Sequence, residues 1–101
     1  MEKLKPEAII KALQALLGPD SAIELSRDDP AGRITGWIMH PGFKGISHHG
    51  RQEWLWNGSS EEGDLPKWQG LRNAFGERSA QIGLVLTYSP LEYQNAFDES
   101  A

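Results

Sequence analysis

Apolar residues along this chain switch between two periods. In PEAIIKALQALLG (6–18), Ile9, Leu13, Leu16 and Leu17 fall at i, i+4, i+7 and i+8, the spacing of one helical face. Pro6 suits a first helical turn, and Gly18 followed by Pro19 suits a stop. The period then shortens to two. In SAIELSR (21–27), Ile23 and Leu25 alternate with Glu24 and Ser26, as in a strand buried on one side. After the turn-forming DDPAG (28–32), RITGWIMH (33–40) predicts a second strand, paired with the first as a hairpin. Both of its faces carry apolar groups, so its inward side stays open between Ile34/Ile38 and Trp37/Met39. Gly36 marks a bulge or a close packing contact.

Beyond a PGFKG turn, ISHHGRQEWLWN (46–57) predicts a helix with Ser47 as its N-cap. NGSSEEGDLPKWQG (57–70) is rich in Gly, Ser and acid and predicts a surface loop. GLRNAFG (70–76) regains helical character. QIGLVLTY (81–88) predicts a third strand with Ile82, Leu84 and Leu86 on one face. In SPLEY (89–93), Ser89 can cap a helix, Pro90 sits at its first position and Glu92 completes a capping box. A short last helix follows, and DESA (98–101) is expected to fray. The order is αββαβα. It predicts one α+β domain over residues 1–101, a small three-stranded mixed sheet with helices packed on it. The crossover helix is interrupted by a surface insertion at about 58–69. Skipping the insertion joins the flanks into one helical pattern with Leu55, Leu71 and Phe75 inward, so residues 58–69 are expected to be removable.

Composition narrows the function classes. A chain of 101 residues suffices for one core and not for two. It has no cysteine, which excludes disulfides, zinc–thiolate sites, thiol catalysis and a cluster held by its own thiolates. No apolar run reaches the length of a membrane span. Glu2, Lys3, Lys5, Glu7 and Lys11 spoil a signal-peptide reading, so the expectation is a cytoplasmic protein with no membrane partner. The net charge of −4 argues against general affinity for phosphate backbones.

Two sets of residues carry a family resemblance. Phe43, Gly45, Ser47 and Arg51 stand at successive offsets of two, four and eight, opening the second helix. TYSPLEY carries Thr87, Pro90, Glu92 and Tyr93 at the end of the third strand. In this order and spacing the chain resembles a BolA family domain over most of residues 6–97, less the insertion. The resemblance implies the BolA-like fold, which is similar to that of type II KH domains. It also implies pairing with a monothiol glutaredoxin around a shared [2Fe–2S] centre. The family's cluster-ligand histidine, however, is replaced here by Gln52. The hairpin loop SRDDPAGR (26–33), where the family places a second His or Cys ligand, has neither.

The stretch HPGFKGISHHGRQEWLW (40–56) concentrates the conspicuous side chains. His40, His48 and His49 are the candidate metal ligands. Adjacent helical residues point about 100° apart, so His48 and His49 share an ion poorly, and the expectation is no metal and no cofactor. GFKG (42–45) has the spacing of the GXXG loop with which KH domains clamp a nucleic-acid backbone; the other reading makes Phe43 a core residue and Gly45 a turn. Trp54 and Trp56 lie two apart and cannot both face the core. Either LPKW (65–68) folds back over one of them, or one is an aromatic anchor for a partner. No P-loop, nucleophile elbow or framed carboxylate pair is present.

These readings converge on a non-enzymatic BolA-like adaptor that binds a protein partner, such as a monothiol glutaredoxin, through the helix-two face without cluster ligands of its own. Phe43, Lys44, Gly45, Arg51, Gln52 and Trp54 are the candidate binding residues. The alternative is nucleic-acid binding, KH-like or as a BolA-type transcriptional regulator, through the Gly42–Gly45 turn, with Lys44, Arg51 and Arg72 as phosphate contacts.

Overall fold

The computed structural model describes residues 3–97, so the expectation for DESA falls outside the described residues. The elements are α1 (Pro6–Leu17), β1 (Ala22–Ser26), β2 (Ile34–Met39), α2 (His48–Asn57), α3 (Gly70–Phe75), β3 (Ile82–Tyr88) and α4 (Pro90–Phe97). Single stretches of 3-10 helix occupy Pro41–Phe43 and Gly76–Gln81. The strands form one mixed sheet in the order β1-β2-β3, with β1 antiparallel and β3 parallel to β2. The fold is the small α+β arrangement expected, with the crossover between β2 and β3 made of two helices. Leu4, Ile9, Leu13 and Leu17 bury the inner face of the α1 region, while Leu16 is only partly covered.

The two open questions about β2 resolve together. Ile34 and Ile38 are fully buried, so Trp37 and Met39 lie on the other face. There Trp37 stacks against α4, its ring 4.9 Å from Tyr93 and 5.7 Å from Phe97. Gly36 is a close-approach position: a Cβ would fall 1.9 Å from the Glu24 carbonyl oxygen. At the same place the pairing with β3 slips from Ile34–Ile82 to Gly36–Val85, so β3 carries an extra residue. This bulge turns Ile82, Val85 and Thr87 all inward. Leu84 and Leu86 therefore part from Ile82 and are exposed, which corrects the expected single face.

The segment between α2 and α3 is more than a surface loop. α2 ends at Gly58 (φ +89°), whose N–H donates to the Trp54 carbonyl at 2.8 Å. The chain leaves and returns to the same point, where the Trp68 N–H donates to the Gly58 carbonyl at 3.1 Å. Only a glycine fits there, since a Cβ at Gly58 would lie 1.9 Å from the Trp68 carbonyl oxygen. Within this closed strap, Leu65 and Trp68 pack on the core. The Trp54 indole N–H donates to the Pro66 carbonyl at 2.6 Å, and the Trp68 indole N–H donates to the Trp54 carbonyl at 3.1 Å. LPKW thus folds back over Trp54, which is 1% exposed. The expectation that residues 58–69 can be removed is corrected, because removal would uncover a buried tryptophan and orphan its N–H.

Trp68→Ala should lower stability by about 3 kcal/mol, the low end for a Trp truncation because Trp68 is only partly buried. Urea unfolding reads this out; an unchanged midpoint would show that the strap covers Trp54 without stabilising it.

Candidate partner surface around helix α2

The residues that open α2 meet at one buried cation. Ser47 caps the helix, its Oγ accepting from the Gly50 N–H at 3.0 Å. One turn later Arg51 points inward and is 3% exposed. Its Nη2 donates to the Phe43 carbonyl at 2.8 Å, and its Nη1 donates to the Thr87 carbonyl at 3.2 Å and to Glu92 Oε1 at 2.7 Å. The guanidinium carbon lies 5.6 Å from the Phe43 ring centroid. Glu92 is itself placed by the capping box of α4: its Oε1 accepts from the Ser89 N–H at 2.7 Å. One side chain thus joins the 41–45 turn, α2, the end of β3 and the start of α4. The residues behind the family resemblance, from Phe43 to Glu92, largely form this network.

Three candidate binding residues are accordingly withdrawn from the surface. Phe43 and Trp54 are core side chains packed edge to face, with ring centroids 5.9 Å apart. Arg51 is committed to internal acceptors, so it is neither a partner contact nor a phosphate contact. These acceptors on Nη1 and Nη2, with Nε left unpartnered, override the usual surface preference of the residue. Lys44 and Gly45 are exposed. Lys44 borders an apolar hollow of about 340 Å³ with Pro41, Ser89, Pro90 and Leu91.

Gln52 is half-buried, with both amide heteroatoms engaged. Its Nε2 donates to the Val85 carbonyl at 2.8 Å and its Oε1 accepts from the Trp56 indole N–H at 3.2 Å. These two contacts fix which way the amide points. The Tyr88 carbonyl accepts from the His40 N–H on the β2 side. The carbonyls of Val85 and Thr87 have the opposite parity and face the outer edge of β3, where Gln52 and Arg51 cover them. Beyond Gln52, the outer side of α2 and the start of α3 form a groove of about 270 Å³ lined by His49, Gln52, Glu53, Trp56, Asn57 and Arg72. Arg72 lies over the Trp56 ring, 5.9 Å from its centroid. Trp56 and Arg72 therefore form a surface pair; the sequence named Arg72 only as a phosphate contact and left Trp56 out of the candidate binding residues. The spacing of Trp54 and Trp56 carried the signal, since one of them had to leave the core.

The histidines do not converge. His40 is half-buried with its ring edge-on to Phe43 at 5.5 Å, and its pKa is lowered by burial, partly offset by the charge of Asp20. His48 and His49 are exposed and lie near different carboxylates, Glu92 at 4.0 Å and Glu53 at 3.5 Å. Among the described residues no group of three or more His, Cys, Asp or Glu could hold a metal ion. The positions implied for a cluster do not fit one either, because both amide atoms of Gln52 are engaged and the 26–33 loop has no His or Cys. The N-terminus of α2 is also taken within the chain. Glu62, from the strap, accepts from the Ser47 N–H at 2.9 Å and from the Ser47 hydroxyl at 2.6 Å. These hydrogen bonds hold the Glu62 carboxyl below its usual range. A phosphate docking at the GFKG turn as in a KH domain would have to displace that carboxylate.

No protein-family model, no curated protein and no solved structure matches this chain. No helix among the described residues is long and apolar enough to cross a membrane.

Arg51→Ala should cost about 1–3 kcal/mol in denaturant unfolding, because the buried Thr87 carbonyl loses its donor. A near-neutral result would return Arg51 to the list of surface contacts. Acid sensitivity tests the same network from its other end. The hydrogen bond from Arg51, aided by those at Ser89, draws the Glu92 pKa down from 4.5 to about 2. A depressed folded-state pKa means that the unfolded chain takes the proton first. The stabilisation is therefore complete above 4.5 and is lost as pH falls towards 2. Its size is reduced by solvent screening, because the Glu92 side chain is 39% exposed. Stability measured against pH should fall more steeply over this window in the native protein than in Glu92→Gln. Parallel curves would exclude Glu92 as the group responsible.

Proposed function

We propose that the protein is a cytoplasmic, non-enzymatic, BolA-like adaptor that binds a protein partner on the outer face of α2 and α3, a monothiol glutaredoxin being the partner the resemblance implies. The observation that carries this reading is the groove around Trp56 and Arg72, next to Gln52, the position at which the family presents its ligand to the shared cluster. Trp and Arg are the residue types that dominate interface energetics. The same groove offers no ligand set, so a cluster carried by the partner would be held by the partner's own groups. The nucleic-acid alternative has lost two supports. Arg51 is buried, and Glu62 occupies the α2 N-terminus.

Titration of the protein with a monothiol glutaredoxin, with and without cluster, tests this. A heterocomplex is expected, and Trp56→Ala should weaken it by about 1–3 kcal/mol. Absence of a complex in both forms would remove this class of partner. Equal affinity of the Trp56→Ala variant would move the contact off the α2 groove.

A further inference from the structure

The α2–α3 groove has a fixed shape and an unmatched charge. Its shape is inherited from the sheet. The Val85 carbonyl holds the Gln52 amide at 2.8 Å, Gln52 holds the Trp56 indole N–H at 3.2 Å, and the Trp56 ring carries the Arg72 guanidinium at 5.9 Å. An aromatic surface held this way is ordered before a partner arrives, which lowers the entropic cost of binding. The charges are uneven. Glu53 Oε2 lies 3.5 Å from His49 Nε2, a contact that pairs opposite charges when the histidine is protonated. Arg72 has no carboxylate within ion-pair distance among the described residues. Its hydrogen bond is to the neutral Asn57 Oδ1 at 3.3 Å, longer than the charge-assisted range of about 2.7–2.9 Å. A guanidinium has five N–H donors, so most of Arg72 remains open to an acceptor. In a chain of net charge −4, an exposed arginine held on a tryptophan without an acid is a local positive point in a negative field.

We propose that this groove takes a short acidic segment of a partner protein, one carboxylate pairing with Arg72 and a neighbouring apolar side chain lying on Trp56. The inference rests on the adaptor reading and gives its partner a chemistry. A peptide is favoured over a nucleic-acid strand for two reasons. Glu53 lines the same groove, and the overall negative charge repels an extended polyanion, whereas a single carboxylate needs only Arg72.

The test uses the full chain and a fluorescent hexapeptide with a single Glu next to a Leu among Ser and Gly, capped at both ends, with Gln and Lys versions and an oligothymidylate as comparisons. Anisotropy gives affinity, and the Trp56 indole N–H resonance reports the place. The Glu peptide is expected to bind and to shift that resonance. The Gln peptide and Arg72→Gln should each lower affinity about tenfold, with an unchanged unfolding midpoint because Arg72 is exposed. Arg72→Glu should reverse the preference towards the Lys peptide. Equal binding of the Glu and Gln peptides, an Arg72→Gln variant that binds the Glu peptide normally, no binding of that peptide, or tighter binding of the oligothymidylate at Trp56 would each overturn the proposal. A glutaredoxin complex indifferent to Arg72→Gln would overturn it too, while leaving the adaptor reading intact. Acidic-peptide binding with no glutaredoxin complex would support it and remove glutaredoxin as the partner.

Discussion

The structure turns on the Arg51 guanidinium. A buried cation is costly unless its surroundings supply acceptors and a countercharge. Here the turn gives the Phe43 carbonyl, the end of β3 gives the Thr87 carbonyl and the first turn of α4 gives Glu92. Each acceptor belongs to a different part of the chain. Neutralising one charge therefore fixes the relative placement of four segments. It also finishes the exposed side of an edge strand, where Gln52 takes the Val85 carbonyl one pair further along. The network is thus a specification of geometry at least as much as a source of stability.

Around that centre the aromatic residues divide between covering and presenting. Trp54 faces inward beneath Phe43 and is closed over by Trp68 and Pro66 of the strap. Two residues further on, Trp56 faces outward, tied to Gln52 and carrying Arg72. The core contact and the candidate partner contact thus lie on opposite sides of one helix. The rigidity of the first supports the second. The strap serves both ends of α2. Its return at Gly58 stops the helix, and its Glu62 caps the start through Ser47.

Much of the local structure was legible in the chain. Alternation placed β1, apolar runs placed β2 and β3 without settling their faces, the i, i+4, i+7 pattern placed α1, and Ser47, Ser89 and Glu92 performed the caps that their spacing suggested. These features depend on neighbours within a few residues, so their physics is contained in short stretches of sequence. The bulge in β3 was legible only in part: Gly36 marked a bulge or a close contact, but nothing local showed that its approach to Glu24 coincides with a shift in the β2–β3 pairing. The cover over Trp54 was legible only as one of two alternatives for LPKW, since polar composition in 58–64 hid the apolar grip of Leu65 and Trp68.

For the candidate site, the sequence by itself determined which residue types lie near α2 and that Trp54 and Trp56 must part. It also determined that no thiolate could hold a metal here. Tertiary structure decided which side chain faces which medium. Arg51 went inside because three acceptors from distant segments converge on it. Arg72 stayed outside because the strap returns α3 alongside α2 and sets it over Trp56. Both are arginines with helical neighbours, and nothing within a few residues of either tells them apart. The difference is made by carbonyls and carboxylates up to 41 positions away, which only a folded chain brings together.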